Sequence, residues 1–271
     1  MASKVFKLTS NYDSLIFRWL SNDKLNDLTI NNHSKLHLRY GENPHQKAIY
    51  LKKNNTSTID ENIVKQGKQL SYNNFLDVNA AIECISEFSE PTCVIIKHNN
   101  PCGVASNNKI INAFERALAA DPISAFGGIV VLNKNVNTIL AKKLNSGFFE
   151  IIIAPTLNKK LIKILKKKKK LILIKKKKIK KDKDSEIKKI VGGYLLQKKN
   201  LIKFSSKYLK LVSKNKAQKK LVDDLIFGFK ICKHVKSNAI VLVNGKSTIG
   251  IGGGQPSRLD SCKIASQKAL Q

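Results

Sequence analysis

Apolar residues recur along this chain in two alternating rhythms, and the alternation predicts an architecture. Asn73 to Phe88 sets Leu76, Ala80, Ala81, Ile85 and Phe88 one to two turns apart, the spacing of a helix face. Cys93 to Ile96 is a short continuous apolar run, expected of a buried strand. Beyond it, Ile110 to Ala120 reads as a helix, Gly128 to Leu132 as a strand and Val136 to Leu144 as a weaker helix. Glu150 to Ala154 then reads as a strand ended by Pro155. Gln218 to Val235 predicts a long helix. Ala239 to Val243 and Thr248 to Ile251 predict a strand pair turning at Asn244-Gly245, and Ser257 to Ala269 a last helix. Strands alternating with helices in this way predict a layered α/β domain with central parallel strands. Ahead of it, Tyr12 to Leu20 carries Leu15, Ile16, Trp19 and Leu20 on one helical face, followed by a polar, Asn-rich stretch up to Leu36.

Between Lys159 and Lys189 the pattern degrades. Lys166 to Lys170 and Lys175 to Lys178 flank Leu171-Ile172-Leu173-Ile174, which is expected to form a short strand in a solvated edge hairpin. An electrostatic docking site is the other reading of the block. The formal charge of +31 would ordinarily point to nucleic acid. Yet Arg18, Arg39, Arg116 and Arg258 are the only arginines among 50 basic residues, and no aromatic is interleaved with the lysine runs. Readers of nucleic acid favour arginine forks and stacking platforms, so no specific nucleic-acid partner is expected. Abundant lysine, asparagine and isoleucine fit drift in an AT-rich genome.

With 42% hydrophobic residues over 271, the chain has material for one large domain or two small ones. No apolar run reaches membrane-spanning length and the start does not read as a secretory signal, so a soluble, cytoplasmic protein without a membrane partner is expected. Cys84, Cys93, Cys102, Cys232 and Cys262 are scattered without CxxC spacing, and the five histidines are dispersed. Reduced thiols and no metal cluster are expected.

Five strings carry candidate chemistry. Lys97-His98-Asn99-Asn100-Pro101-Cys102-Gly103 follows the Cys93 strand and delivers a cation and an imidazole into a turn that Pro101 and Gly103 are expected to enforce. A lysine neutralises a developing oxyanion, and a histidine moves a proton near neutral pH. Leu38 to Gln46 (LRYGENPHQ) sets the Arg39 fork beside the Tyr40 ring, a pair suited to a phosphorylated heteroaromatic ligand, with Gly41 and Pro44 fixing the loop. Asp121 to Gly128 (DPISAFGG) is a run of small residues that permits close backbone approach. Lys233 to Ala239 (KHVKSNA) brings Asn238 to a strand start, able to donate to and accept from a carboxamide. Gly250 to Arg258 (GIGGGQPSR) offers backbone N–H groups, a helix start near Ser257 and a cation, the makings of an anion site. Each string alone also has a plain structural reading as a turn or strand end.

In this order and spacing the five closely resemble the transformylase domain of the bifunctional purine-biosynthesis enzyme, aminoimidazole-carboxamide ribonucleotide (AICAR) transformylase/IMP cyclohydrolase. The resemblance runs from about Leu36 to Gln271, interrupted in the lysine-rich segment, and Phe6 to Leu20 is similar to the family's helical connector. It implies a connector over 1–35 and a transformylase domain over 36–271, with 159–189 an insertion or drifted segment. The implied fold is cytidine-deaminase-like, layered α/β/α in two lobes. The implied activity is formyl transfer from the co-substrate 10-formyltetrahydrofolate to the 5-amino group of AICAR. By the motif match, His98 is the base and Lys97 stabilises the tetrahedral oxyanion. Arg39 and Tyr40 bind the nucleotide, Gly127, Glu150, Asn238 and Arg258 line the same site, and Leu259 touches folate. Gln197 and Gly192-Gly193 match a structural motif without assigned chemistry.

The resemblance also implies a homodimer with sites at the subunit interface, and no zinc. Family chains carry a cyclohydrolase domain ahead of this region and continue past the position of Gln271, where the tail adds an aromatic loop and an arginine to the pocket. Two readings follow: a separate polypeptide supplies the rest of the pocket, or the sequence is a fragment. The alternatives are a non-catalytic remnant that still binds nucleotide or assembles with a complementary chain, and a basic protein loosely associated with nucleic acid.

Overall fold

The computed structural model describes residues 1–21, 33–53, 59–65, 67–166, 168–176 and 185–271. Most of the Asn-rich stretch, together with Lys167, Lys177 and Lys178 of the lysine blocks, lies outside the described residues. In chain order the first elements are α1 (Ala2–Ser21), β1 (His33–His37), β2 (Ile49–Lys53), β3 (Ile63–Lys65), α2 (Tyr72–Ile85), β4 (Thr92–Lys97) and β5 (Asn100–Ser106). There follow α3 (Ile110–Ala119), α4 (Pro122–Ala125), β6 (Gly128–Leu132), α5 (Thr138–Ser146), β7 (Phe149–Ala154), α6 (Lys159–Leu165) and β8 (Ile172–Lys175). The last are β9 (Glu186–Ile190), β10 (Gly193–Gln197), α7 (Lys219–Cys232), β11 (Ile240–Val243), β12 (Thr248–Gly252) and α8 (Arg258–Ala269). They fall into two compact units, 1–58 with 182–201 and 59–181 with 202–271.

The larger unit holds a six-stranded mixed sheet in the order β3-β8-β7-β6-β4-β5. β6, β7 and β8 run parallel, as the alternation predicts, while β4 is antiparallel to both β5 and β6, and β3 is antiparallel to β8. Alternate strand residues serve opposite faces. Cys93, Ile95, Val130, Leu132, Ile152, Ala154 and Leu173 join Phe114 of α3, Leu140 and Leu144 of α5, and Leu161 and Leu165 of α6 in one core. Val94, Ile96, Ile129, Val131, Ile151, Ile153, Ile172 and Ile174 are just as fully buried, and α2 packs on β4 and β6. A sheet covered on both faces needs apolar residues at every position, which is why its strands read as continuous runs. Cys84, Cys93 and Cys102 are buried with it, and burial raises each thiol, Cys102 to about 12, so all three stay protonated and unreactive.

Two expectations about the central sheet need correction. Leu171 to Ile174 is not an edge hairpin: β8 lies between β7 and β3, and Leu171, Ile172, Leu173 and Ile174 are each at most 2% exposed. Charge at its ends masks a core strand, and the three-residue β3 that covers it leaves almost no pattern. Likewise Pro101 and Gly103 do not form the turn after Lys97. The turn is His98-Asn99, with φ of +50° and +63°, closing the β4–β5 hairpin. Positive φ at both central residues matches the twist of the paired strands. Pro101 sits within β5, the last strand of the six, where a missing N–H is tolerated.

A separate antiparallel pair, β11–β12, carries α7 on β11 and α8 on β12. Here Gly250 and Gly252 are strand residues with a packing role. A Cβ on either would stand about 2 Å from the Ala265 or Ser261 carbonyl oxygen, so only glycine lets α8 lie this close. That removes both from the anion loop expected of Gly250 to Arg258, leaving 253–257 between strand and helix.

The smaller unit comprises α1, the antiparallel hairpin β1–β2 with His37 opposite Ile49, and the hairpin β9–β10. None of its described apolar side chains is buried.

Candidate active site

Because β4 runs against β6, and β6 runs with β7, the end of β4 meets the beginnings of β6 and β7. Ile96 pairs with Ile129, and Gly128 with Phe149. That brings Lys97, Gly127 and Glu150 to one edge of the sheet, although 53 residues separate the first and last in sequence. Lys97 is half-buried, and its Nζ donates to the Phe126 carbonyl oxygen at 2.9 Å. Gly127 is required by its φ of +70°, and a Cβ there would also crowd Lys97 Nζ at 3.0 Å. Its N–H donates to the Phe148 carbonyl at 2.8 Å, and the exposed rings of Phe126 and Phe148 stand 4.8 Å apart beside it.

Glu150 is anchored from two sides. Its Oε2 accepts from Asn74 Nδ2 at 3.0 Å and pairs with Lys68 Nζ at 3.0 Å. Burial works to raise its carboxyl. The hydrogen bonds from Asn74 and Lys68, with the charges of Lys68 and Lys97, overcome burial and hold it below the usual range. Asp77 behaves oppositely. Burial raises its carboxyl, against a hydrogen bond from the Asn99 N–H at 2.7 Å and the nearby charges of His98 and Lys97, while Glu150 adds to the rise. Asn74 and Asp77 were not expected at the site. They lie three residues apart on α2 and so share a face, the one signal in the sequence that pointed to them.

A second wall comes from the α7–β11 connection. Asn100 joins it to the turn: its Nδ2 donates to the His98 carbonyl at 3.1 Å, and its Oδ1 accepts from the Lys236 N–H at 3.0 Å. Asn238 Nδ2 donates to the Gln255 and Pro256 carbonyls at 3.0 and 2.8 Å, so the side chain has its carbonyl oxygen left to offer a ligand. Ser257 caps α8, accepting from the Leu259 N–H, and leaves Arg258 and Leu259 exposed on the first turn. Behind this wall the buried Glu87 accepts from Lys233 Nζ at 3.0 Å and lies 3.3 Å from His234 Nε2.

Arg39 and Tyr40 belong to the smaller unit, on the loop joining β1 to β2. The guanidinium donates to the Tyr40 hydroxyl at 2.8 Å and lies 4.6 Å from its ring centroid. Gln46 ties this loop together, through the Gly41 N–H to its carbonyl and the Asn43 N–H to its side chain, and its own N–H donates to the Asn43 carbonyl at 3.0 Å across a turn that has Pro44 at its first central position.

Fold and site define a class: a mixed α/β domain with a lysine, a histidine and two carboxylates gathered about one end of its central sheet. Within that class the chain belongs to the AICARFT/IMPCHase bienzyme family, whose model matches residues 1–268. It is 43% identical to the bifunctional purine biosynthesis protein PurH of Acetivibrio thermocellus, over 98% of this chain and 54% of that protein. It is 44% identical to PurH of Caldicellulosiruptor bescii, over 96% and 52%, and 42% identical to PurH of Buchnera aphidicola, over 99% and 54%. The chain thus spans about half the length of the curated relatives it matches. The match takes in the first 35 residues and the lysine-rich segment as well as the five strings.

Proposed function

We propose that this chain carries the formyl-transfer half of the family's chemistry, moving the formyl group of 10-formyltetrahydrofolate to the 5-amino group of AICAR in purine synthesis. That amine is a weak nucleophile, because its lone pair is delocalised through the imidazole into the carboxamide. In this reading the amine nitrogen attacks the formyl carbon while His98 takes its proton, and Lys97 faces the oxyanion of the tetrahedral intermediate. Collapse breaks the bond from the formyl carbon to folate N10, which leaves with a proton. Arg39 and Tyr40 hold the nucleotide. Gly127, Glu150, Asn238 and Arg258 line its site, and Leu259 touches folate.

The observation that carries the reading is the juxtaposition at the end of β4, where Lys97 Nζ reaches the Phe126-Gly127 backbone and His98 begins a left-handed turn. A homodimer in the cytoplasm fits the smaller unit, whose exposed apolar residues call for cover from a second copy. In this reading residues 1–35 connect to the rest of the protein, 36–271 form the transformylase domain, and ring closure to IMP is assigned to other parts of the family's length.

The test is formyl transfer by this chain alone and mixed with a polypeptide supplying the remainder of a relative's length. Transfer in either format supports the proposal. AICAR binding without transfer in both formats replaces it with a nucleotide-binding subunit.

A further inference from the structure

The residue proposed as base sits on strained backbone. His98 and Asn99 both take left-handed φ, +50° and +63°, and neither is a glycine. Asparagine and histidine enter that region more readily than most side chains, yet each does so against the contact of its Cβ with the following carbonyl. Two-residue hairpins usually place Asn-Gly or Asp-Gly there, which leaves this pair in need of outside support. The Asn100 side chain supplies some from within the hairpin. The bond that ties the turn to a different element is the one from the Asn99 N–H to Asp77 Oδ1, at 2.7 Å a short, charge-assisted contact.

Asp77 is well placed for this. It lies mid-way along α2, whose start is fixed by the Ser71–Asn74 capping box and whose Val78, Ala81, Cys84 and Ile85 are locked into the core. We propose that Asp77 is a positioning residue, its carboxylate holding the left-handed His98-Asn99 turn and so aiming the His98 imidazole at the reacting amine. The aiming part rests on the reading of His98 as the base; the holding part does not.

Three variants separate this role from direct chemistry, each followed by amide exchange at residue 99 and by the turnover of an active assembly. Asp77→Ala removes the acceptor. It should speed exchange and lower kcat on the order of 10- to 100-fold, the worth of one hydrogen bond to a charged group. Asp77→Asn keeps an acceptor without the charge, and both readouts should stay within a few-fold of the parent. Asp77→Ala with Asn99→Gly relieves the turn's strain and should recover most of the lost kcat. Exchange at β6 and β7 amides should stay at parent values in all three, which certifies the fold. The proposal is overturned if Asp77→Ala leaves exchange at residue 99 unchanged. It is equally overturned if Asp77→Asn loses as much kcat as Asp77→Ala, since the charge itself would then act in the reaction. If no assembly transfers formyl groups, the functional reading fails and the exchange arm still decides whether Asp77 holds the turn.

Discussion

In the unit formed by 59–181 and 202–271, strands β4, β6, β7 and β8 bury apolar side chains on both faces, and the lysine, histidine and carboxylates of the candidate site gather about one end of that sheet. In the unit formed by 1–58 and 182–201, residues of the same kind face outward. Phe6, Tyr12, Phe17, Trp19 and Leu20 of α1 are 51% to 81% exposed, and Ile187, Tyr194 and Leu195 of the β9–β10 hairpin are exposed too. The contrast teaches that an apolar stripe marks which face needs cover without saying what supplies it. In the larger unit the chain supplies its own cover, and rigid strand ends can then hold charged groups at fixed separations. In the smaller unit the need is left open. A single helix draws most of its stability from packing of its apolar face, so this face calls for cover.

The largest effects should fall on the chemistry held by the cored unit. In an active assembly, His98→Ala and Lys97→Ala should each lower kcat by about 10²- to 10⁴-fold, with AICAR affinity changed only a few-fold. Steady-state kinetics with a direct binding measurement decides this, and near-parent turnover in either variant removes the role assigned to it. Next comes the core beneath the site. Ile152→Ala in β7 and Leu173→Ala in β8 should each cost about 2–5 kcal/mol in urea unfolding. A cost near zero for Leu173→Ala would return β8 to the solvated edge that its flanking lysines suggest.

That last residue shows where the sequence was and was not legible. β4, β6 and β7 could be read because strands covered on both faces carry unbroken apolar runs. β8 is such a strand too, but lysines on both sides made four core residues look like the middle of a charged hairpin. β3 is three residues long and left no period to detect. The hairpin turn was misplaced because Pro101 and Gly103 are the usual punctuation, while His98-Asn99 turns through a tertiary hydrogen bond that no local pattern encodes. Lys97 and Gly127 could be named from their strings and Glu150 only through the family resemblance, yet their meeting depends on β4 running antiparallel to β6, a matter of topology. Asn74 and Asp77 were missed because polar residues on a helix face ordinarily mean solvent.

Electrostatics at the same strand ends gives a smaller, signed effect. Glu150 and Asp121 are both held below the usual carboxyl range. Each is opposed by burial and lowered by hydrogen bonds, to Asn74 and Lys68 for Glu150 and to Lys268 and Ser124 for Asp121. A depressed carboxyl contributes stability above its unfolded value, lost as pH falls through its folded value. Asp77 is raised by burial, so its ionisation costs stability at neutral pH and that cost is relieved on acidification. Urea midpoints should therefore fall from about pH 5 downward, across the ordinary carboxyl range. Glu150→Gln should flatten that fall and Asp77→Asn steepen it. Matching slopes for the two variants would contradict the opposite environments assigned to them.

The smallest effect in the protomer, and the sharpest probe of the contrast, concerns α1. Trp19 is 81% exposed and is the only tryptophan in the chain, so its fluorescence reports this face without labelling. Trp19→Ala removes little packing, because most of its surface is exposed. Its stability at low protein concentration should stay within about 0.5 kcal/mol of the parent, the range of ordinary surface substitutions. If a second copy covers the face, raising the protein concentration should shift the parent's emission to shorter wavelength and raise its unfolding midpoint. Leu15→Ala, whose side chain is also exposed and which keeps the fluorophore, should move both transitions to higher concentration. A loss of several kcal/mol from Trp19→Ala at every concentration would mean that the protomer covers this face itself, and the difference between the two units would vanish.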